Sequence, residues 1–345
     1  MKNAEILDLP EDAIRQHIDA RQTFIALQQA KTRMLAYRGS MLWREVNGVE
    51  YLVRTTTKGA QTGLGARSEQ TEAIYKKFMQ GKQQHEQSVA NLKVSLERHQ
   101  RLNRALRVGR TPNVIIDVLS EIDRSGMSEH FTVVGTNALY AYETAASARV
   151  EEKVLATNDL DLLWDNRKKL SVAVQGKLSI DGMIGLLRKV DPSFTINQSR
   201  LYTAVNGDGY EVDLIRIKER EYKSPDAKNN PIRLSQNDDD FWVAQARNAD
   251  WLLSAPKFKE MVVGTNGKMA YMNTVDPRAF VLFKLWMAKQ KDRDYGKRLR
   301  DVTQAEVVTQ IINERLPQLA FEDIKIFPTS VTDMLVEDKK LLEGV

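Results

Sequence analysis

The chain has 345 residues, enough for two or three compact units, and contains no cysteine, which excludes disulfides and thiolate metal sites. Its four histidines (His17, His85, His99, His130) show no metal-pair spacing, which argues against zinc, and no apolar run approaches the roughly 20 residues of a membrane span. With no signal-peptide core at the N-terminus, the expected location is cytoplasmic. The net charge of +5 is uneven: residues 1–110 carry 19 Lys and Arg against 11 Asp and Glu, and the remainder 32 against 35. The basic third reads either as a solvated helical surface or as a surface for a polyanion such as RNA.

In chain order, residues 10–37 are predicted helical, with Pro10 at the start and Gly39 as the first breaker. Asn47-Gly48 between two β-prone runs predicts a hairpin, because both central residues of a type I′ turn need positive φ. The segment Lys58–Gly65 reads as a flexible connector: Gly63-Leu64-Gly65 lacks the Gly-Lys-Ser/Thr ending of a phosphate loop. From Ser68, a capping residue, a helix of about 40 residues is expected to end near Gly109 and to pack against the first helix as an arm.

Residues 113–130 read as a helix ending at Ser125-Gly126, and a strand, a helix and a strand follow through Trp164. Residues 177–190 are helical by pattern. A hairpin across Asn206–Gly209 joins Arg200–Val205 to Tyr210–Ile215, and residues 223–240 read as a surface loop whose Asp238-Asp239-Asp240 triplet serves a turn or a helix cap. A further hairpin turns at Asn266-Gly267, and Asp276-Pro277 opens a helix as N-cap and first residue. The whole is α+β: a mixed sheet core with an N-terminal helical arm bearing a β-hairpin and a C-terminal helical region. The expected divisions are residues 1–112, 113–255 and 256–345.

Three carboxylates stand out. In a strand, residues i and i+2 share a face, so Asp159 and Asp161 project together while Leu160 and Leu162 point the other way. Asp213 lies in a second apolar alternation, Tyr210–Arg216. Carboxylates forced side by side repel unless a cation lies between them, and Mg²⁺ accepts such hard oxygen ligands while leaving room for phosphates. An Asp-x-Asp pair on an edge strand serves solubility alone, but Leu160, Leu162, Leu163 and Trp164 mark this strand as buried, where unpaired carboxylates are costly.

Gly135-Thr136 at a strand-to-helix turn, Asp159-x-Asp161 and the strand-borne Asp213 together resemble the polymerase-β-like nucleotidyltransferase superfamily. The runs Val134–Glu143 and Ala156–Asp165 are similar to an uncharacterised bacterial branch of it, and the Trp43–Tyr51 hairpin with Gly63–Ser68 resembles that branch's N-terminal region. The resemblance implies that Asp159 and Asp161 bind two Mg²⁺ ions, one also holding the triphosphate of an NTP, and that Asp213 completes the site and activates an acceptor hydroxyl. Backbone N–H groups at Gly135 and Thr136 would hold phosphate oxygens. Thr136 stands where Gly or Ser is usual, and the 24 residues from Gly135 to Asp159 suggest an extra loop, about Ala146–Ala156, over the site.

Lys284, Ala288 and Lys291 share one stripe of the helix after Asp276. That helix, with Arg300-Asp301 beyond it, is similar to the toxin-type nucleotidyltransferases, in which such a lysine reaches the NTP phosphates. Against this, Lys284 reads equally as a snorkelling surface lysine, and Asp301 as a charge favouring the helix capped by Thr303-x-x-Glu306. The reaction implied is transfer of NMP from an NTP to a hydroxyl of tRNA or other RNA, of a protein or of a small molecule. Two alternatives stand beside it: a catalytically silent nucleic-acid-binding module, and a toxin of a toxin–antitoxin pair.

Overall fold

The computed structural model describes residues 6–165, 167, 182–217, 240, 242–246, 248–319, 321 and 327. Most of the expected surface loop at 223–240, residues 177–181 of the expected helix and the C-terminal end lie outside these. The chain forms two compact units, residues 12–108 and residues 1–11 with 109–345. Among the described residues no helix is long and apolar enough to cross a membrane.

The chain opens with strand β1 (Ile6–Asp8), which belongs to the larger unit. The smaller unit begins with helix α1 (Glu11–Met34), then β2 (Ser40–Val46), β3 (Val49–Thr55), β4 (Gln61–Ala66) and the 37-residue α2 (Glu69–Ala105). Helices α1 and α2 run antiparallel, with Leu27 and Ala30 packed on Val89, and Gln16 donating to Asn103 at 2.9 Å. The Asn47-Gly48 hairpin forms with both residues at positive φ. Ser68 caps α2 reciprocally with Thr71. Gly81 does not break α2; a Cβ there would strike the Tyr37 ring at 2.4 Å, so the glycine admits that ring to the helix surface.

One expectation fails here. The supposed connector 58–65 contributes β4, a third strand paired antiparallel with β3. Its glycines removed the side-chain signal for a strand; the backbone ladder offered by β3, with a bulge at Leu52/Val53, supplies the stabilisation instead.

The larger unit continues with α3 (Asn113–Ser125), ended by Gly126 in the left-handed conformation, then β5 (Phe131–Val134) and a 3₁₀ turn (Gly135–Ala138). Next come α4 (Leu139–Ala146), β6 (Ala148–Val150), α5 (Glu152–Leu155), β7 (Asp159–Trp164), α6 (182–190), β8 (Thr195–Ile196), β9 (Thr203–Val205) and β10 (Glu211–Ile217). The unit ends with β11 (Ala244–Ala246), α7 (Ala249–Ser254), β12 (Lys257–Val263), β13 (Met269–Val275), α8 (Pro277–Ala288) and α9 (Tyr295–Arg315). A mixed sheet runs β12-β13-β5-β7-β10-β9-β8, with β11 also on β10. The hairpin β12–β13, expected beyond a boundary at 255, is thus part of the same sheet.

The segment 146–156, expected as an overhanging loop, is structured: β6 pairs antiparallel with β1, and α5 packs on α9. Buried Asp240 accepts from the backbone N–H groups of Met183 and Ile184, so it holds the start of α6. Tyr142 of α4 ties the layers together. It is fully buried, donates to the Val275 carbonyl at 2.9 Å, and meets the rings of Phe258 and Phe280 edge-on at 5.6 and 5.5 Å. Tyr142→Phe removes one buried hydrogen bond and is expected to cost about 1–2 kcal/mol in urea unfolding. Tyr142→Ala, which also opens a cavity, is expected to cost about 3–5 kcal/mol.

Candidate active site

Strands β7 and β10 lie side by side and parallel, with Asp161 opposite Asp213 and Asp159 opposite Glu211. Leu160, Leu162, Val212 and Leu214 of the same strands are fully buried, so the alternation that sends them into the core turns the carboxylates to the other face. A cleft of about 350 Å³ opens there. Gly135, Thr136, Asp159, Asp161 and Asp213 line it, with Arg200, Lys284, Arg293, Lys297 and Arg300 on its walls.

Gly135 ends β5 at φ +69°, and a Cβ on it would come within 2.3 Å of Asp161 Oδ2. The turn therefore presses its backbone directly against that carboxylate, which only glycine permits. Asn137 fixes the turn from behind, donating from Nδ2 to the Asp159 carbonyl. The Asp159 carboxylate accepts from the Thr157 hydroxyl.

Burial, followed by the charges of Asp159 and Asp213, pushes Asp161 up to about 7, against the pull of Lys284 and Arg293. Asp213 is raised too, chiefly by burial, with Asp159 adding and the Thr203 hydroxyl and Arg200 opposing. Its Oδ1 is buried without a hydrogen-bond partner among the described residues. Crowded carboxylates with a lone oxygen left over suit a hard cation. Among the described residues no three His, Cys, Asp or Glu side chains form a ready-made metal cage.

Helix α8 begins as expected, with the Asp276 side chain accepting from the Arg278 N–H and Pro277 first in the helix. Lys284 faces the cleft but is no snorkelling surface residue. It is buried and donates to Asp301 Oδ1 at 2.8 Å, while Arg293 Nε donates to Asp301 Oδ2 at 2.9 Å. Burial pulls the Lys284 ammonium below its ordinary pKa, with Asp301 opposing.

Two expectations are corrected. Helix α8 ends at Ala288, so exposed Lys291 lies beyond it, off the Lys284 stripe and not among the residues that line the cleft. Arg298 donates to the carbonyls of Lys291 and Arg293, and these bonds from α9 hold the interhelical turn in place of more helix. Nor does Thr303-x-x-Glu306 cap a helix: α9 starts at Asp294, whose side chain accepts from the Lys297 N–H, and Thr303 lies within it.

Sequence reading also missed Arg200, Arg293, Lys297 and Gln304. The one available signal was in α9, where polar Asp301 and Gln304 interrupt an otherwise apolar stripe continued by Ala305, Val308 and Ile312.

Asp161 yields a linkage prediction. Its pKa in the fold lies above the ordinary 3.8, so the folded state holds the proton more tightly and this stabilisation is lost as pH rises to about 7. At pH 8 without divalent cation, Asp161→Asn is expected to be more stable than wild type, by at most about 4 kcal/mol. The gap should narrow between pH 8 and pH 5 in thermal melts; a gap that is constant across this range contradicts the assigned shift.

A family model described as "Nucleotidyltransferase" matches residues 113–326, more than half of the chain. A comparison with curated proteins finds no match. A crystal structure of an antigenic nucleotidyltransferase-like protein from Paracoccidioides brasiliensis is 16% identical over 68% of this chain and 94% of that chain. Its TM-score of 0.29 is too low to carry an inference.

Proposed function

We propose that this chain, which belongs to the nucleotidyltransferase family and is thus a transferase, moves a nucleoside monophosphate from an NTP to an acceptor hydroxyl. The observation that carries the reading is the meeting of Asp159, Asp161 and Asp213 with the Gly135-Thr136 turn in one cleft. In the reaction, the acceptor oxygen bonds to the α-phosphorus as the bond from that phosphorus to the bridging oxygen breaks, and pyrophosphate leaves.

Asp159 and Asp161 would hold divalent cation, with Asp213 completing the site. Bound there, Mg²⁺ supplies neutralisation of the triphosphate charge and a lowered pKa for the acceptor hydroxyl. Asp213, whose pKa burial raises, would be a stronger base for the acceptor's proton than an ordinary carboxylate. The backbone at Gly135 and Thr136, opening a 3₁₀ turn that leads into α4, offers N–H donors to phosphate oxygens. Lys284 and Arg293, both held by Asp301, add positive charge to the cleft without mobile side chains to order. Asp159→Ala and Asp213→Ala are each expected to lower transfer of labelled NMP at least about 100-fold while still giving a cooperative melt no less stable than wild type. Transfer equal to wild type in both variants sinks the mechanism.

For the acceptor, the charge of residues 12–108 favours RNA: 17 Lys and Arg stand against 8 Asp and Glu. Arg98, Arg101 and Arg104 recur every three residues along the last turns of α2, all exposed. Single-stranded RNA should bind less tightly as salt rises. Replacing these three arginines with alanine should make the log–log slope shallower by about 2, if each neutralises one phosphate. An unchanged slope excludes this surface.

A further inference from the structure

Gln304 is fully buried in α9, yet its side chain reaches the turn at the head of the cleft. Its Nε2 donates to the Thr136 hydroxyl oxygen at 3.1 Å and to the Val154 carbonyl at 2.8 Å. Both amide hydrogens are therefore used, and Oε1 is buried with no hydrogen-bond partner among the described residues. The orientation is dictated chemically. A flipped amide would set Oε1 against the Val154 carbonyl, which cannot donate.

A hydroxyl carries one proton and two lone pairs. Gln304 occupies a lone pair of Thr136 Oγ1, so the Thr136 proton is directed away from α9. Thr136 lines the cleft. We propose that Gln304 is a positioning residue that fixes the Thr136 hydroxyl as a hydrogen-bond donor towards a phosphate oxygen of the nucleotide. This rests on the nucleotide-transfer reading above. It also gives threonine a purpose at this position: its hydroxyl oxygen meets the Gln304 amide while its proton serves the cleft. Gln304→Glu keeps the shape and reverses the polarity, because a carboxylate accepts the Thr136 proton and draws it inward.

The test is calorimetric titration of the full chain with a non-hydrolysable analogue of each of the four NTPs in the presence of Mg²⁺. Gln304→Glu is expected to raise Kd about tenfold, the scale of one hydrogen bond to a charged group. Thr136→Val is expected to do the same. The double variant Gln304→Glu/Thr136→Val should bind within about twofold of Thr136→Val alone, since the hydroxyl being steered is already gone. A purely structural Gln304 would weaken binding equally in both backgrounds, and that result overturns the proposal, as does unchanged binding by Gln304→Glu. Should Gln304→Glu fail to give a cooperative melt, Gln304→Met decides by the same comparison. It should weaken binding beside Thr136 and have no effect in the Thr136→Val background. Wild type that binds nucleotide but is insensitive to these changes overturns the positioning role alone; wild type that binds none of the four overturns the transfer reading as well.

Discussion

Three carboxylates held on one face of two parallel strands repel one another, and the architecture of the larger unit can be understood as what keeps them there. Asp161 and Asp213 sit opposite each other in the β7–β10 pair, with Asp159 two residues along. Desolvation and mutual repulsion both favour protonation, which is why the Asp161 carboxyl is driven so far above the ordinary carboxylate range. Such a cluster persists because the same strands bury Leu160, Leu162, Val212 and Leu214 on their other face. Each fully buried aliphatic side chain contributes roughly 1.5–3 kcal/mol, enough together to outweigh the repulsion.

The positive side of the cleft solves a related problem. Lysine and arginine close to a triphosphate are useful only if they stay in place, and long side chains lose considerable rotamer entropy when ordered. Asp301, wholly buried in α9, takes Lys284 from α8 and Arg293 from the interhelical turn, one on each carboxylate oxygen. A buried ion pair is weak evidence for stability, since desolvation offsets most of the attraction. Its value here is geometric: the ordering is complete before any ligand arrives. The same helix carries Gln304 to the Gly135-Thr136 turn, so α9 braces both walls.

What could be read in the sequence followed from short-range rules. The period of two put Asp159 and Asp161 on one face, Asn47-Gly48 set a hairpin, and Ser68 and Asp276 marked helix starts. Each depends on residues a few positions apart. The failures depend on partners supplied by other elements of the fold. Gly63 and Gly65 form a strand because β3 offers a ladder, and α8 stops before Lys291 because Arg298 reaches back to hold the turn. Arg293 and Gln304 looked like ordinary polar residues, and only the tertiary contacts show Arg293 held at the cleft by Asp301 and Gln304 behind the cleft-lining Thr136. The apolar stripe of α9 did contain the clue, since polar side chains at core positions must find partners.

Register links the two scales. Because side chains alternate with period two, sliding β10 by one residue along β7 would carry Asp213 into the core and put Val212 or Leu214 in the cleft. The carboxylates themselves would be relieved by separation. What opposes the slip is the packing of the buried leucines and valines, while Gly135, whose missing Cβ lets the turn close on Asp161, suits the neighbouring β5–β7 register that pairs Val134 with Asp161. The precision of the charged site is therefore set by its apolar underside. Substitutions there that preserve total volume but shift the strands by a fraction of a residue should disturb the carboxylates before they measurably disturb the fold.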